Sequence, residues 1–243
     1  MLRKVPFAEG EFYHLYNRGN NKRSIFLDDQ DKNRFMRLLY LCNKEHRVVF
    51  KDYDRLSFEG LVQKFKDDKP LVALGAYCLM PNHFHFLVKE IRKNGISTFM
   101  QKFATAYSMY FNKKNIHTGS LFEGRFKSSH VNDDNYLKHL FAYIHLNPIK
   151  VIDYNWKDEG IEDIEHARGF LEKYPYSSYF DYLQRVRPER AILSLEEFPE
   201  YFETHTDFSD FIKDWLEYHE VTRTFTPREE KVPKASELAA KVV

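Results

Sequence analysis

Cysteine is scarce in this chain. Cys42 and Cys78 are the only two in 243 residues, so a disulfide framework is not the design and a reducing compartment is the simplest setting. Long apolar runs are missing as well; none approaches the roughly 20 residues that a membrane helix needs. The N-terminal MLRKVPFAEGEF lacks the apolar core of a secretory signal. These absences predict a cytoplasmic protein with no membrane partner. No Walker-type glycine loop is present, so nucleotide hydrolysis is not indicated. Repeats and low-complexity tracts are absent too. Net charge is close to zero, at +1, but unevenly spread: residues 1–156 hold 25 basic and 16 acidic groups, and residues 157–243 hold 12 and 20. A basic body with an acidic extension fits a polyanionic partner, or two solvated surfaces of opposite sign that touch.

Aromatic residues are abundant, with 22 Phe and 16 Tyr, which supports a globular core. EFYHLYNR (11–18) alternates as a strand and breaks at Gly19-Asn20. Residues 29–46 place Phe35, Leu38, Leu39 and Cys42 at helical spacing. Residues 47–70 read as an insertion holding a short helix near 58–65. Residues 71–78 form a buried strand, and Met80-Pro81-Asn82 turns into a second strand at 83–89. A helix follows at 96–112, strand-like sequence at 119–131, and a helix at 133–146 closed by Asn147-Pro148. The order β-α-β-β-α-β-α predicts an α+β fold: a ferredoxin-like split β-α-β antiparallel sheet with an added helix. Residues 1–155 form the expected catalytic domain. Residues 156–243 form an acidic, mostly helical C-terminal extension that includes YPYSSY (174–179). It carries helices near 195–204 and 207–220 and a polar, frayed end from Thr222.

The stretch MPNHFHFLV (80–88) places His83 and His85 two apart, on one face of a strand, with Phe84 and Phe86 on the other. Two imidazoles do not complete a metal site, and a pair of surface histidines would read the same way. Tyr143 and Asn147, at i and i+4, share one face of the 133–146 helix. If that face covers the histidines, Asn147 adds an oxygen ligand and Tyr143 presents a phenol beside it. Such a set suits nucleophilic phosphoryl transfer by tyrosine. An unperturbed phenol has a pKa of about 10, so a nearby divalent ion would ease its ionisation. Tyr107, Tyr110 and Tyr136 compete with Tyr143 for the role.

Four separated segments, MPNHFHFLV, GSLFEGRFKS, YIHLNPIK and YPYSSY, occur in the order found in REP-associated tyrosine transposases. These belong to the HUH endonuclease superfamily and are related to the single-tyrosine transposases of small insertion sequences. The resemblance spans roughly residues 12–182. It implies a metal-dependent enzyme that cleaves and rejoins single-stranded DNA near hairpins through a 5′-phosphotyrosine. In this reading Tyr143 is the nucleophile and His83, His85 and Asn147 hold Mg²⁺ or Mn²⁺. The related insertion-sequence enzymes often carry glutamine at the place of Asn147. The expected partner is single-stranded DNA with a hairpin, REP-like or from insertion-sequence ends, bound by a monomer or homodimer.

Arg125 and Lys127 flank Phe126, with Ser128 following, and Arg18 and Arg23 form a second cluster. Basic groups hold phosphate and aromatics stack on bases, so these five residues are candidate DNA contacts. Lys113, Lys114 and His117 form a third basic spot. The alternative function is a domesticated protein that binds hairpin DNA or RNA and cleaves little.

Overall fold

A computed structural model describes residues 6–46 and 49–217. The strands are β1 (Phe12–Arg18), β2 (Ala73–Met80), β3 (His83–Lys89) and β4 (Lys127–Val131). The helices are α1 (Asp29–Cys42), α2 (Phe58–Phe65), α3 (Gly95–Lys114), α4 (Asp134–Leu146), α5 (Trp156–Glu159), α6 (Ile164–Leu171), α7 (Tyr179–Tyr182) and α8 (His205–Glu217). The sheet order is β2-β3-β1-β4, and every pairing is antiparallel. That is the ferredoxin-like arrangement the element order predicts.

Strand alternation gives the sheet two working faces. Phe84 and Phe86 point to α1 and α3, where they pack with Phe35, Phe99, Phe103 and Tyr107. His83, His85 and Leu87 point the other way, to the face that α4 covers. Local chemistry starts these helices. Asp28 accepts from the Asp31 amide at 2.9 Å, and Asp133 accepts from the Tyr136 amide at 2.7 Å, each capping an N-terminus. The buried Glu90 carboxylate caps α3 by accepting from Gly95 and Ile96 at 3.1 and 2.7 Å.

α4 is buried on both sides. Leu137, Leu140 and Ile144 meet the sheet. Ala142 and Leu146 meet Trp156, Leu171, Tyr179, Phe208 and Ile212 of the C-terminal segment. The YPYSSY segment also covers the β2 edge: Leu79 N donates to Tyr176 O at 2.9 Å and Ser178 N donates to Tyr77 O at 3.0 Å. A bare edge strand would invite pairing with another chain.

Several expected boundaries move. Strand β4 begins only at Lys127, so Arg125 and Phe126 lie in the preceding loop, after Gly124 at φ 69°. Residues 195–204 form a short 3₁₀ turn, Leu195–Glu197, and not a helix. Pro199 forces Phe198 into an extended conformation, φ −117° and ψ 155°, and stops it. The α4 helix does end where Asn147-Pro148 is expected to close it, at Leu146 with Asn147 as its C-cap. Proline is tolerated in a first turn, and a 3₁₀ segment continues over Asn147–Val151. α5, α6 and α7 are too short to show periodicity and were not expected. The expected frayed end from Thr222 lies outside the described residues. Among the described residues no helix is long and apolar enough to cross a membrane.

Candidate metal and nucleophile site

α4 brings Tyr143 down onto the histidine face. Its ring lies 5.3 Å from that of His85, edge-on at 87°, and 5.9 Å from that of His14. Tyr143 is 9% exposed, and His85, His14 and Asn147 are fully buried. His83 and His85 are neighbours at 4.9 Å between ring centres.

Each candidate ligand is held by a hydrogen bond, and in two of them this leaves a buried polar atom unmatched. Asn147 Nδ2 donates to Tyr143 O at 3.1 Å, one turn back, and Asn147 Oδ1 has no partner. His85 Nδ1 pairs with His14 Nε2 at 2.9 Å, and His85 Nε2 has no partner. His83 Nδ1 pairs with Asn82 Oδ1 at 2.6 Å. An unmatched buried polar atom costs about 1–3 kcal/mol. Two such atoms, an imidazole nitrogen and an amide oxygen, are the donor chemistry of a divalent-ion site, so these residues fit the expected metal. Among the described residues no three His, Cys, Asp or Glu side chains are placed to hold one.

Electrostatics favour neutral, ligating imidazoles. Burial, then Lys150, Lys157 and Arg18, push His83 down to about 3. Burial, then His83, His14 and the two lysines, push His85 well below the usual histidine range. A metal ligand must be deprotonated, and this environment favours that form.

Placement separates the competing tyrosines. Tyr107 and Tyr110 sit on α3, across the sheet, where their hydroxyls bond Ile25 O and Asp31 Oδ1. Tyr136 lies two turns from Tyr143 along α4, about 10 Å away by helix rise. Tyr16, not among the expected candidates, lies on the histidine face, its ring 6.0 Å from that of His85. Sequence alone also gave no role to His14 or Lys157. Lys157, on α5, stands with Nζ 3.8 Å from the centre of the Tyr143 ring. A cation over an aromatic face is attracted by its quadrupole.

Four of the five expected DNA contacts gather at one end of the sheet. Arg18 is directly across from His83 and pairs with Glu123. Arg23 bonds His117 and Ser120 O in the neighbouring loop. Arg125 and Lys127 are exposed. Ser128 is separated from them: it opposes Leu15 in the β1–β4 register, so it points to the face away from Tyr143. Ser129, opposite His14, takes the histidine face. Lys114 of the third basic spot is engaged by Asp28 and Asp31, at 2.7 Å each. Asn82 links the loop to the ligands, because its Nδ2 donates to Lys22 O at 3.1 Å while its Oδ1 holds His83. That loop is strained, with Asn21 and Lys22 both at positive φ, 54° and 59°. Gly19 opens it because a Cβ there would stand 2.2 Å from Arg23 O.

Residues 32–147 match the family model described as IS200-like transposase. The match runs from α1 through Asn147 and takes in both histidines and Tyr143. A solved structure of a REP-associated tyrosine transposase bound to a REP hairpin is similar at a TM-score of 0.45 and 14% identity, over 78% of this chain and 90% of that one. No curated protein matches the chain.

Proposed function

We propose that the protein is a metal-dependent single-stranded DNA endonuclease and transposase that cleaves and rejoins DNA near hairpins through Tyr143. One observation carries this reading: the Tyr143 ring lies 5.3 Å from that of His85, whose Nε2 is buried and unmatched, and Asn147, one turn on in the chain, holds a second such atom, Oδ1. His83, His85 and Asn147 would hold Mg²⁺ or Mn²⁺, which when bound supplies charge neutralisation at the phosphate. Tyr143 Oη attacks the phosphorus, the bond from phosphorus to the 3′ oxygen breaks, and the phenolic proton is given up while the 3′ oxygen takes one. The DNA 5′ phosphate stays on Tyr143 and a 3′ hydroxyl is free. Attack by another 3′ hydroxyl reverses the step, and the phosphotyrosine conserves the bond energy. Arg18, Arg23, Arg125 and Lys127 would hold the backbone by charge, and Ser128 would serve a strand passing the opposite face.

In this reading residues 1–155 are the catalytic domain and 156–243 an extension that walls in α4 and contributes Lys157. The substrate in this reading is hairpin-bearing single-stranded DNA, and the enzyme works in the cytoplasm as a monomer or homodimer. The test is a labelled library of single-stranded hairpins incubated with Mn²⁺ or Mg²⁺ and run on a denaturing protein gel. A metal-dependent adduct lost in Tyr143→Phe and kept in Tyr16→Phe is the expected result. Hairpin binding with no adduct under any metal would replace this reading with that of a binding protein.

A further inference from the structure

We infer that His14 is a positioning residue that selects the metal-binding tautomer of His85. The inference rests on the metal site proposed above. His14 lies on β1, one strand over from His85, with the two rings nearly parallel at 21° and 5.1 Å between centres. His14 Nε2 and His85 Nδ1 stand 2.9 Å apart, and both side chains are fully buried. Two imidazole nitrogens at that distance share one hydrogen bond, so one proton lies between the two rings.

That proton has two homes with different consequences. If His14 Nε2 carries it and donates, His85 must hold its own proton on Nε2 and cannot ligate. If His85 Nδ1 carries it and donates to His14, His85 Nε2 has a free lone pair aimed at the site. His14 then carries its proton on Nδ1, an atom that lacks a partner. The second arrangement is the one a divalent ion requires. Ligating histidines are generally fixed this way by an acceptor on the other nitrogen, and losing that acceptor typically costs 10- to 100-fold in affinity. A carboxylate or carbonyl is the common acceptor. Here it is an imidazole from a neighbouring strand, positioned by the β1–β3 ladder.

The measurement is Mn²⁺ affinity of the full chain, read from the free-ion electron paramagnetic resonance signal, for wild type, His14→Phe, His14→Gln and His85→Ala. His14→Phe should bind Mn²⁺ about 10- to 100-fold more weakly. His14→Gln, whose amide oxygen can accept the same proton, should recover most of the loss. In the adduct assay the Mn²⁺ concentration for half-maximal rate should rise in His14→Phe while the rate at saturation stays near wild type. Circular dichroism checks the fold of each variant. Should His14→Phe not fold, ¹⁵N-histidine spectra of Mg²⁺-loaded wild type decide: a proton on His85 Nδ1 supports the inference, and a proton on Nε2 overturns it. Wild-type Mn²⁺ affinity in a folded His14→Phe also overturns it. If wild type itself binds no ion, the metal reading falls, an outcome distinct from failure of the His14 inference alone.

Discussion

His85 and His145 are both fully buried, yet the molecule treats them differently. On the outer side of α4, His145 has both nitrogens engaged. Its Nδ1 donates to Phe141 O at 2.9 Å, and its Nε2 accepts from Ser178 Oγ at 2.7 Å. Tyr179, Tyr182 and Phe208 surround it. It ties α4 to the segment covering the β2 edge. On the inner side, His85 has one nitrogen engaged and one with no partner. A satisfied buried imidazole is architecture, whereas an unsatisfied one carries a penalty that a bound ion, ligand or water removes.

Exchanging the two histidines' fates is the strongest way to break this comparison. His85→Leu is expected to lower adduct formation by about 10³-fold or more, while metal-free stability changes by less than about 1 kcal/mol. His145→Leu should do the reverse, costing about 1–3 kcal/mol of stability in denaturant melts with adduct rate and Mn²⁺ affinity near wild type. If His145→Leu abolished cleavage in folded protein, the division between architecture and site would be wrong.

Ligand addition sharpens the same contrast. Free Mn²⁺ at about 100 times its Kd should stabilise the wild type by about 2.7 kcal/mol. For a chain of this size that raises Tm by about 5–10 °C. Chelation should reverse the gain, and His85→Leu should show none. An equal Tm rise in His85→Leu would place the ion elsewhere.

Acid probes the satisfied histidine. Burial holds His145 down at about 3, against 6.5 in the unfolded chain. Between those values the unfolded state binds the extra proton, so stability is full above pH 6.5 and is lost as pH falls. The loss is about 1.4 kcal/mol per pH unit for one such group. Denaturant melts at pH 7 and 5 should therefore show a difference about 2 kcal/mol smaller in His145→Gln than in wild type. Equal differences would mean that His145 is not held neutral in the fold.

The inner site was largely legible in sequence because its parts follow local periodicities. His83 and His85 share a face by strand alternation, Tyr143 and Asn147 by helical spacing, and the sheet order follows from the element order. What was hidden depends on pairing across the chain. His14 is an alternating residue of an aromatic strand, and only the β1–β3 register reveals that it meets His85. Ser128 looked like part of a basic stripe, but the β4 register turns it to the far face. The helix expected near 195 failed on one local detail, the proline at 199. His145 carried no signal that would separate it from a ligand, since its partner Ser178 is 33 residues away.

Lys157 is the subtlest of the hidden residues, since it lies beyond the family match and in a four-residue helix. Its Nζ is 3.8 Å from the Tyr143 ring centre, and its charge contributes to holding His14, His83 and His85 neutral. If Tyr143 is the nucleophile proposed above, a cation there faces the ionising phenol and should favour the transition state over the resting phenol. Lys157→Met keeps the aliphatic stem and removes only the charge. Adduct formation at saturating Mn²⁺ should fall by about tenfold, Lys157→Arg should stay within about threefold of wild type, and Mn²⁺ affinity should hold or rise slightly in both. A Lys157→Met protein that forms adduct at the wild-type rate would reduce the contact to packing, and would leave the C-terminal segment no part in the working site.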